Sequence, residues 1–212
     1  MKHLITTLIF SVICLAGSAQ SFEGKVIYHT TYESNMAGVS TEQLTKMAGD
    51  TCKYYMKGGN YRSDLNGTYY IWQIYINRDN KLYNKFSNSG TIRWDDGAIN
   101  KDTIYKVQLN KGVTEILGYK CDELIFTCKS DTEKYYFTSK FHINSDLYTK
   151  QVYQNWYDYL KIAKAMPLKM VMTSKDINVS MVAVDITPMK IDESMFTLPE
   201  GAEIEKNTNN NQ

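Results

Sequence analysis

The sequence predicts an α+β protein built on a curved antiparallel β-sheet with one or two helices over one face. Three observations carry that expectation. Segments of alternating apolar and polar residues recur along the chain. The turns between them are too short for parallel crossovers, which need about a dozen residues or more. Seventeen tyrosines suit a curved, partly exposed sheet, because a tyrosine packs its ring while its hydroxyl stays wet.

The chain begins MKHLITTLIFSVICLAGSA. Lys2 supplies a positive start, Leu4 to Ala16 an apolar run, and Gly17 and Ala19 the small residues of a cleavage site, which together read as a secretory signal peptide over residues 1–19. The run is too short to cross a hydrocarbon core of about 30 Å, and Cys14 follows Val12 and Ile13 rather than the small residue a lipoprotein signal needs. A periplasmic or secreted protein is therefore expected, without a membrane span. Removing Lys2 from the 24 basic residues leaves 23 to balance 23 acidic ones. No basic face is left for nucleic acid. Residues 20–203 read as a single domain, and the polar end 204–212 as a disordered tail.

FEGKVIYHTTY places Phe22, Val26, Tyr28, Thr30 and Tyr32 on one side of the first strand. The period of two returns in TCKYYMKGG and in TYYIWQIYIN, where Tyr70, Trp72, Ile74 and Ile76 share a face. It returns again in CDELIFTC, KYYFTSKF, PLKMVM and INVSMVAVDI. Gly58-Gly59-Asn60, Asn66-Gly67, Arg78-Asp79-Asn80, Ser130-Asp131 and Ser174-Lys175-Asp176 supply turn chemistry between them. Two segments break the period. STEQLTKMAGD offers Ser40 as N-cap, Gln43 as its capping-box partner and Gly49 as a stop. Residues 146–165 place Tyr148, Val152, Trp156, Tyr159, Leu160 and Ala163 at helical spacing, after Ser145 or Asp146 as cap and before Pro167 as terminator. This helix is either a fixed cover or a movable lid.

Catalytic signatures are missing. His29 and His142 stand alone, Asp95-Asp96-Gly97 lacks the alternating oxygens of a calcium loop, and no nucleophile elbow, phosphate loop or dinucleotide fingerprint occurs. A non-enzymatic protein without metal or cofactor is expected. Beyond the leader lie Cys52, Cys121 and Cys128. On one extended strand Cys121 and Cys128 would stand roughly 23 Å apart, against a limit of about 7 Å for bridged α-carbons. A bridge must then use Cys52, with parity pointing to Cys128 over Cys121; three buried thiols are the alternative.

The order of FEGKVIY, YYMKGGNYRSD, ILGYKCDELIF, KYYFTSKF, PLKM and FTLPEGAEI resembles secreted envelope proteins of domain-of-unknown-function family 4412 and the related GLPGLI group, although the Gly-Leu-Pro-Gly-Leu-Ile signature is absent. The resemblance implies a lipoprotein-carrier-like fold of the LolA and LppX type, an open half-barrel whose helices close an apolar concave mouth. It implies no catalytic residues. Met170 and Met172, with Val182, Val184 and Ile186 of the next strand, would line the concave face, and the hook through Phe196 and Pro199 would seal an edge. A lipid, an acyl chain or a lipidated protein would then sit between sheet and helix against Trp72, Ile74, Ile76, Met170, Met172, Trp156 and Leu160. The alternative is a structural or interaction module with a filled core that docks to another envelope protein.

Overall fold

A computed structural model describes residues 21–208; the expected signal peptide lies outside the described residues. The chain runs β1 (Gly24–Ser34), α1 (Thr41–Ala48), β2 (Thr51–Lys57), β3 (Asn60–Leu65), β4 (Tyr70–Ile76), β5 (Lys81–Phe86), β6 (Ile92–Asp96), β7 (Ile104–Ile116), β8 (Tyr119–Cys128), β9 (Asp131–His142), α2 (Trp156–Ala163), β10 (Ala165–Ser174), β11 (Ile177–Pro188) and β12 (Ile204–Lys206). All strands join one open, curved sheet of twelve strands, in the order β12-β6-β5-β4-β3-β2-β1-β11-β10-β9-β8-β7. Two meanders, β1 to β6 and β7 to β11, meet where β1 pairs with β11. Neighbours are antiparallel except β12, which lies parallel to β6.

Register defines the two faces. Leu124, Tyr135, Met170, Met181 and Thr30 stand opposite one another from β8 to β1. Met56, Tyr61, Tyr75 and Leu82 continue that face from β2 to β5. It carries the larger core, to which Phe126, Tyr148, Tyr159 and Leu160 also belong. The opposite face of β4 and β5 carries a second cluster, in which Ile74, Ile76, Tyr83 and Ile92 pack under Ile191 and Phe196. A 3-10 turn at Glu193–Phe196 presents Phe196 there. Asp192 caps this turn by accepting from the Ser194 N–H, and Lys57 pins it by donating to the Ile191 carbonyl and pairing with Glu193 at 2.9 Å. The C-terminal hook thus caps the outer face, where the sequence reading has it sealing an edge.

The expected covering by helices is overturned. α1 forms as expected, with Ser40 accepting from the Gln43 N–H and the Gln43 side chain accepting from the Ser40 N–H, yet it buries no residue. The helix expected over 146–165 shortens to the eight residues of α2, preceded by 3-10 turns at Ser145–Tyr148 and Tyr153–Asn155. Gln154 and Asn155 adopt left-handed φ values of 50° and 56°, which break the helical path. Val152 and Tyr153 donate their N–H groups to the Gly97 carbonyl, and Asn144, not Ser145 or Asp146, caps the first turn. Pro167 is not a terminator but part of β10, at register irregularities, where a residue without an N–H is tolerated.

Three further expectations are corrected. The tail expected from residue 204 is ordered through β12, because backbone pairing with the free edge of β6 needs no apolar side chain. β11 turns Val179, Met181 and Ala183 inward, not Val182 and Val184, and a bulge between Asp185 and Ala183 returns Ile186 to the inner face. Cys52, Cys121 and Cys128 are free and buried. Cys52 and Cys128 do share the inner face, but β2 and β8 are five strand steps apart, on the order of 24 Å along the sheet, which no disulfide spans.

Phe196→Ala is expected to cost about 3 kcal/mol by opening the outer cluster, measured as a lowered urea midpoint with an unchanged denaturant slope. A variant as stable as the parent would show that the hook does not hold this face.

Candidate functional site

The inner face is not filled throughout. Between β1–β3, β9–β11 and the segment 153–156 lies a cavity of about 470 Å³, within the range of about 300–1,000 Å³ usual for small-ligand sites. Its buried floor includes Tyr28, Cys52, Tyr61 and Met166. Lys101, Ser130 and Gln154 lie exposed at its rim.

The aromatic wall is a consequence of strand alternation. Tyr54, Tyr61 and Tyr75 stand on inward positions of adjacent strands and stack in series at centroid distances of 5.3 and 5.2 Å. Trp156 meets Tyr61 edge-on and stacks on Tyr159, which stacks on Tyr135 at 4.3 Å. Buried hydroxyls find acceptors: Tyr28 donates to the Pro167 carbonyl at 2.7 Å and Tyr159 to the Ala165 carbonyl at 2.9 Å. Met166, Met170, Met172 and Met181 supply the adaptable apolar wall, where unbranched thioether side chains fit irregular shapes.

One end of the cavity is acidic. Glu133, only 8% exposed, accepts from the Tyr135 hydroxyl at 2.8 Å and from Asn155 Nδ2 at 2.9 Å. The left-handed pair at Gln154 and Asn155 turns the Asn155 side chain inward, where its Oδ1 also accepts from Asn100 at 2.6 Å. Burial raises Glu133 to about 7 despite these two hydrogen bonds, with Asp131 and Asp102 adding to the rise. Asp131 is also raised, chiefly by burial and then by Asp102. Its Oδ1, like Trp156 Nε1, is buried without a hydrogen-bond partner among the described residues.

Asp102, Cys128 and Asp131 bring potential metal-binding atoms within 4.8 Å of one another. Two features count against that use. Asp102 already accepts from the N–H groups of Thr103, Lys129 and Ser130 and from the Ser130 hydroxyl, and burial pushes the Cys128 thiol up to about 12, whereas the thiolate is the ligand.

Of the residues singled out from sequence, Trp156, Met170 and Met172 line the cavity. Leu160 lies fully buried in the core. Trp72, Ile74 and Ile76 belong to the outer cluster, because β4 is apolar on both faces and its inward positions are Gln73 and Tyr75. Sequence reasoning missed Tyr28, Tyr54, Tyr61, Tyr135, Glu133 and Asn155. For Glu133 a signal existed: in DTEKYYF it shares alternation with Tyr135 and Phe137, a carboxylate at an apolar position.

No protein-family profile and no curated protein sequence matches the chain, so the family read from the short motifs gains no support there. Among solved structures the chain is similar to an uncharacterized conserved protein from Thermus thermophilus, at 8% identity and a TM-score of 0.46, over 87% of this chain and 91% of that one. It is similar to PNGF-II at 12% identity and a TM-score of 0.47, over 88% of this chain but 31% of that one. It is similar to LprF from Mycobacterium bovis at 10% identity and a TM-score of 0.29, over 85% and 90% of the two chains. With every TM-score below 0.5, none of these likenesses carries an argument, and the site is read from its own residues.

With its pKa near 7 in the folded chain against an ordinary 4.5, Glu133 holds a proton between these values that the unfolded chain has released. Its contribution to stability therefore falls as pH rises from about 4.5 to 7. Glu133→Gln is expected to gain on the order of 2 kcal/mol over the parent above pH 7 and nothing below the ordinary carboxylate range, read from urea midpoints across pH. A pH-independent difference would remove the buried, proton-binding carboxyl from the account.

Proposed function

We propose that this chain is a non-enzymatic binding protein of the cell envelope, periplasmic or secreted, that holds the apolar part of a lipid or lipidated protein in the inner-face cavity. The observation that carries this reading is the space of about 470 Å³ walled by methionine and aromatic side chains, where a filled core would leave none. Transfer of each methylene from water into such a space is worth about 0.8 kcal/mol, so part of an acyl chain offsets the cost of ordering it. Envelope location rests on the charged and apolar N-terminal segment; among the described residues no helix is long and apolar enough to cross a membrane.

Glu133 alone does not make a catalytic site. Among the described residues no histidine lines the cavity, and burial holds the thiols of Cys52 and Cys128 up at about 12, far from the thiolate. Entry does not require a swinging lid: Asn77 and Asn80 donate to the carbonyls of Leu147 and Lys150, which together with Gly97 tie the 145–155 segment to the strand loops, and the rim is already exposed. A second reading is favoured by one observation. The edge strand β7 exposes Tyr105 (68%), Val107 and Leu109, and an apolar edge strand is a site for pairing with another protein.

The test is a titration of the purified mature chain with a long-chain alcohol, following tryptophan emission. Trp156 responds, and Trp156→Phe abolishes most of the change while leaving the urea midpoint within about 1 kcal/mol. Met170→Glu, which places a charge on the apolar wall, weakens binding roughly tenfold or more. Uptake unaffected by both substitutions would refute the cavity as the binding site.

A further inference from the structure

We infer that the cavity selects a ligand whose inserted end is positively charged, an ammonium group joined to an apolar chain, in preference to a carboxylate or phosphate. The inference rests on the cavity reading above and adds the chemistry of the ligand's polar end. Asp102, Asp131 and Glu133 converge at one end of the cavity. Among the described residues no lysine, arginine or histidine forms an ion pair with any of them. Two lysines also line the space: Lys134 acts to lower the pKa of Glu123 and Lys101, exposed at the rim, that of Asp95, and neither forms an ion pair with these three acids. The groups that bear on Glu133 itself are Tyr135, Asn155, Asp131 and Asp102, two neutral donors and two further acids.

This arrangement leaves the buried Glu133 and the half-buried Asp102 and Asp131 without an ion-paired counter-charge. An anionic ligand would add a like charge at short range, which costs more the lower the local dielectric. A cation offsets what burying the carboxylates costs. The surrounding rings fit the same ligand. Tyr61, Tyr135, Tyr153 and Trp156 share the lining with Glu133, and an ammonium within about 6 Å of an aromatic centroid is attracted by the ring quadrupole, most strongly where it is desolvated. Asn155 and Tyr135 hold both Glu133 oxygens in place, so the carboxylate is positioned before the ligand arrives. Asp131 Oδ1, buried and without a hydrogen-bond partner among the described residues, adds an unpaired acceptor to the same end of the cavity.

The experiment compares dodecyltrimethylammonium, dodecanol and dodecanoate, each below its micelle concentration, by calorimetry on the mature chain at about pH 8, where Glu133 is ionised. The ammonium compound is expected to bind roughly tenfold or more tightly than dodecanoate. Glu133→Gln and, separately, the rim substitution Asp131→Asn should each shrink that preference while dodecanol binding persists. Lowering the pH below Glu133's titration near 7 should do the same in the parent and leave Glu133→Gln unmoved. Dodecylphosphocholine separates the sources of the charge: binding as tight as the simple ammonium supports a lipid headgroup, and its exclusion supports a free long-chain amine. If dodecanoate binds as well as the ammonium compound while dodecanol also binds, the charge inference is overturned and the cavity stands. If none of the amphiphiles binds, the cavity reading itself fails.

Discussion

The ladder between β1 and β11 is the constraint on which the rest of the structure depends. It runs over the eleven residues of β1 and joins a meander from the first half of the chain to one from the second. Without it the inner face would be two narrow faces, neither wide enough to enclose a cavity. Tyr28 shows the coupling at a single residue: its ring is buried on the inner face, and its hydroxyl reaches past β11 to the Pro167 carbonyl of β10. Pro167 lies at an irregularity in the pairing of β9 and β10, where a carbonyl acceptor is left for a side chain to satisfy. One tyrosine thus ties three neighbouring strands together beneath the cavity.

The bulge in the same ladder decides what the cavity is made of. By leaving Val184 without a partner on β1, it allows both Val179–Met181–Ala183 and Ile186 to face inward, although a strict period of two would place Ile186 outside. The cost is an exposed Val184 at 54% accessibility. The segment 145–155 has a comparable role across the cavity. Hydrogen bonds from Asn77 and Asn80 and to the Gly97 carbonyl replace the helical bonds this segment forgoes. The chain then passes through two left-handed residues to deliver Asn155 to Glu133. Unfavoured backbone held in place beside a buried carboxyl is a pattern that functional sites share.

Much of the architecture was legible because it is local. The capping box at Ser40 and Gln43, the inward alternation of Phe22, Val26 and Tyr28, and the strands of β8 to β11 follow from spacing alone. The strands β5, β6 and β7 were not legible, since KLYNKF, IRWDD and IYKVQLNKGVTEI carry weak or polar alternation and are ordered by their neighbours. The helix over 146–165 failed for the opposite reason. Its apolar spacing is helical, but Gly97 and the asparagines of the strand loops compete for its backbone, a competition no window of sequence displays.

The candidate site divides along the same line. Spacing alone establishes that Met170, Met172 and Trp156 are apolar residues on single faces, and that Glu133 shares its alternation with Tyr135 and Phe137. Which face of β4 looks into the cavity is settled by packing between distant elements, because Ile74 and Tyr75 are both buried and a period of two distinguishes two faces without saying which neighbour covers each. The C-terminal hook, more than a hundred residues away in sequence, takes the Ile74 face with Phe196. The inner face is left to the tyrosines, and its open space exists because β1 and β11 pair across the whole length of the chain.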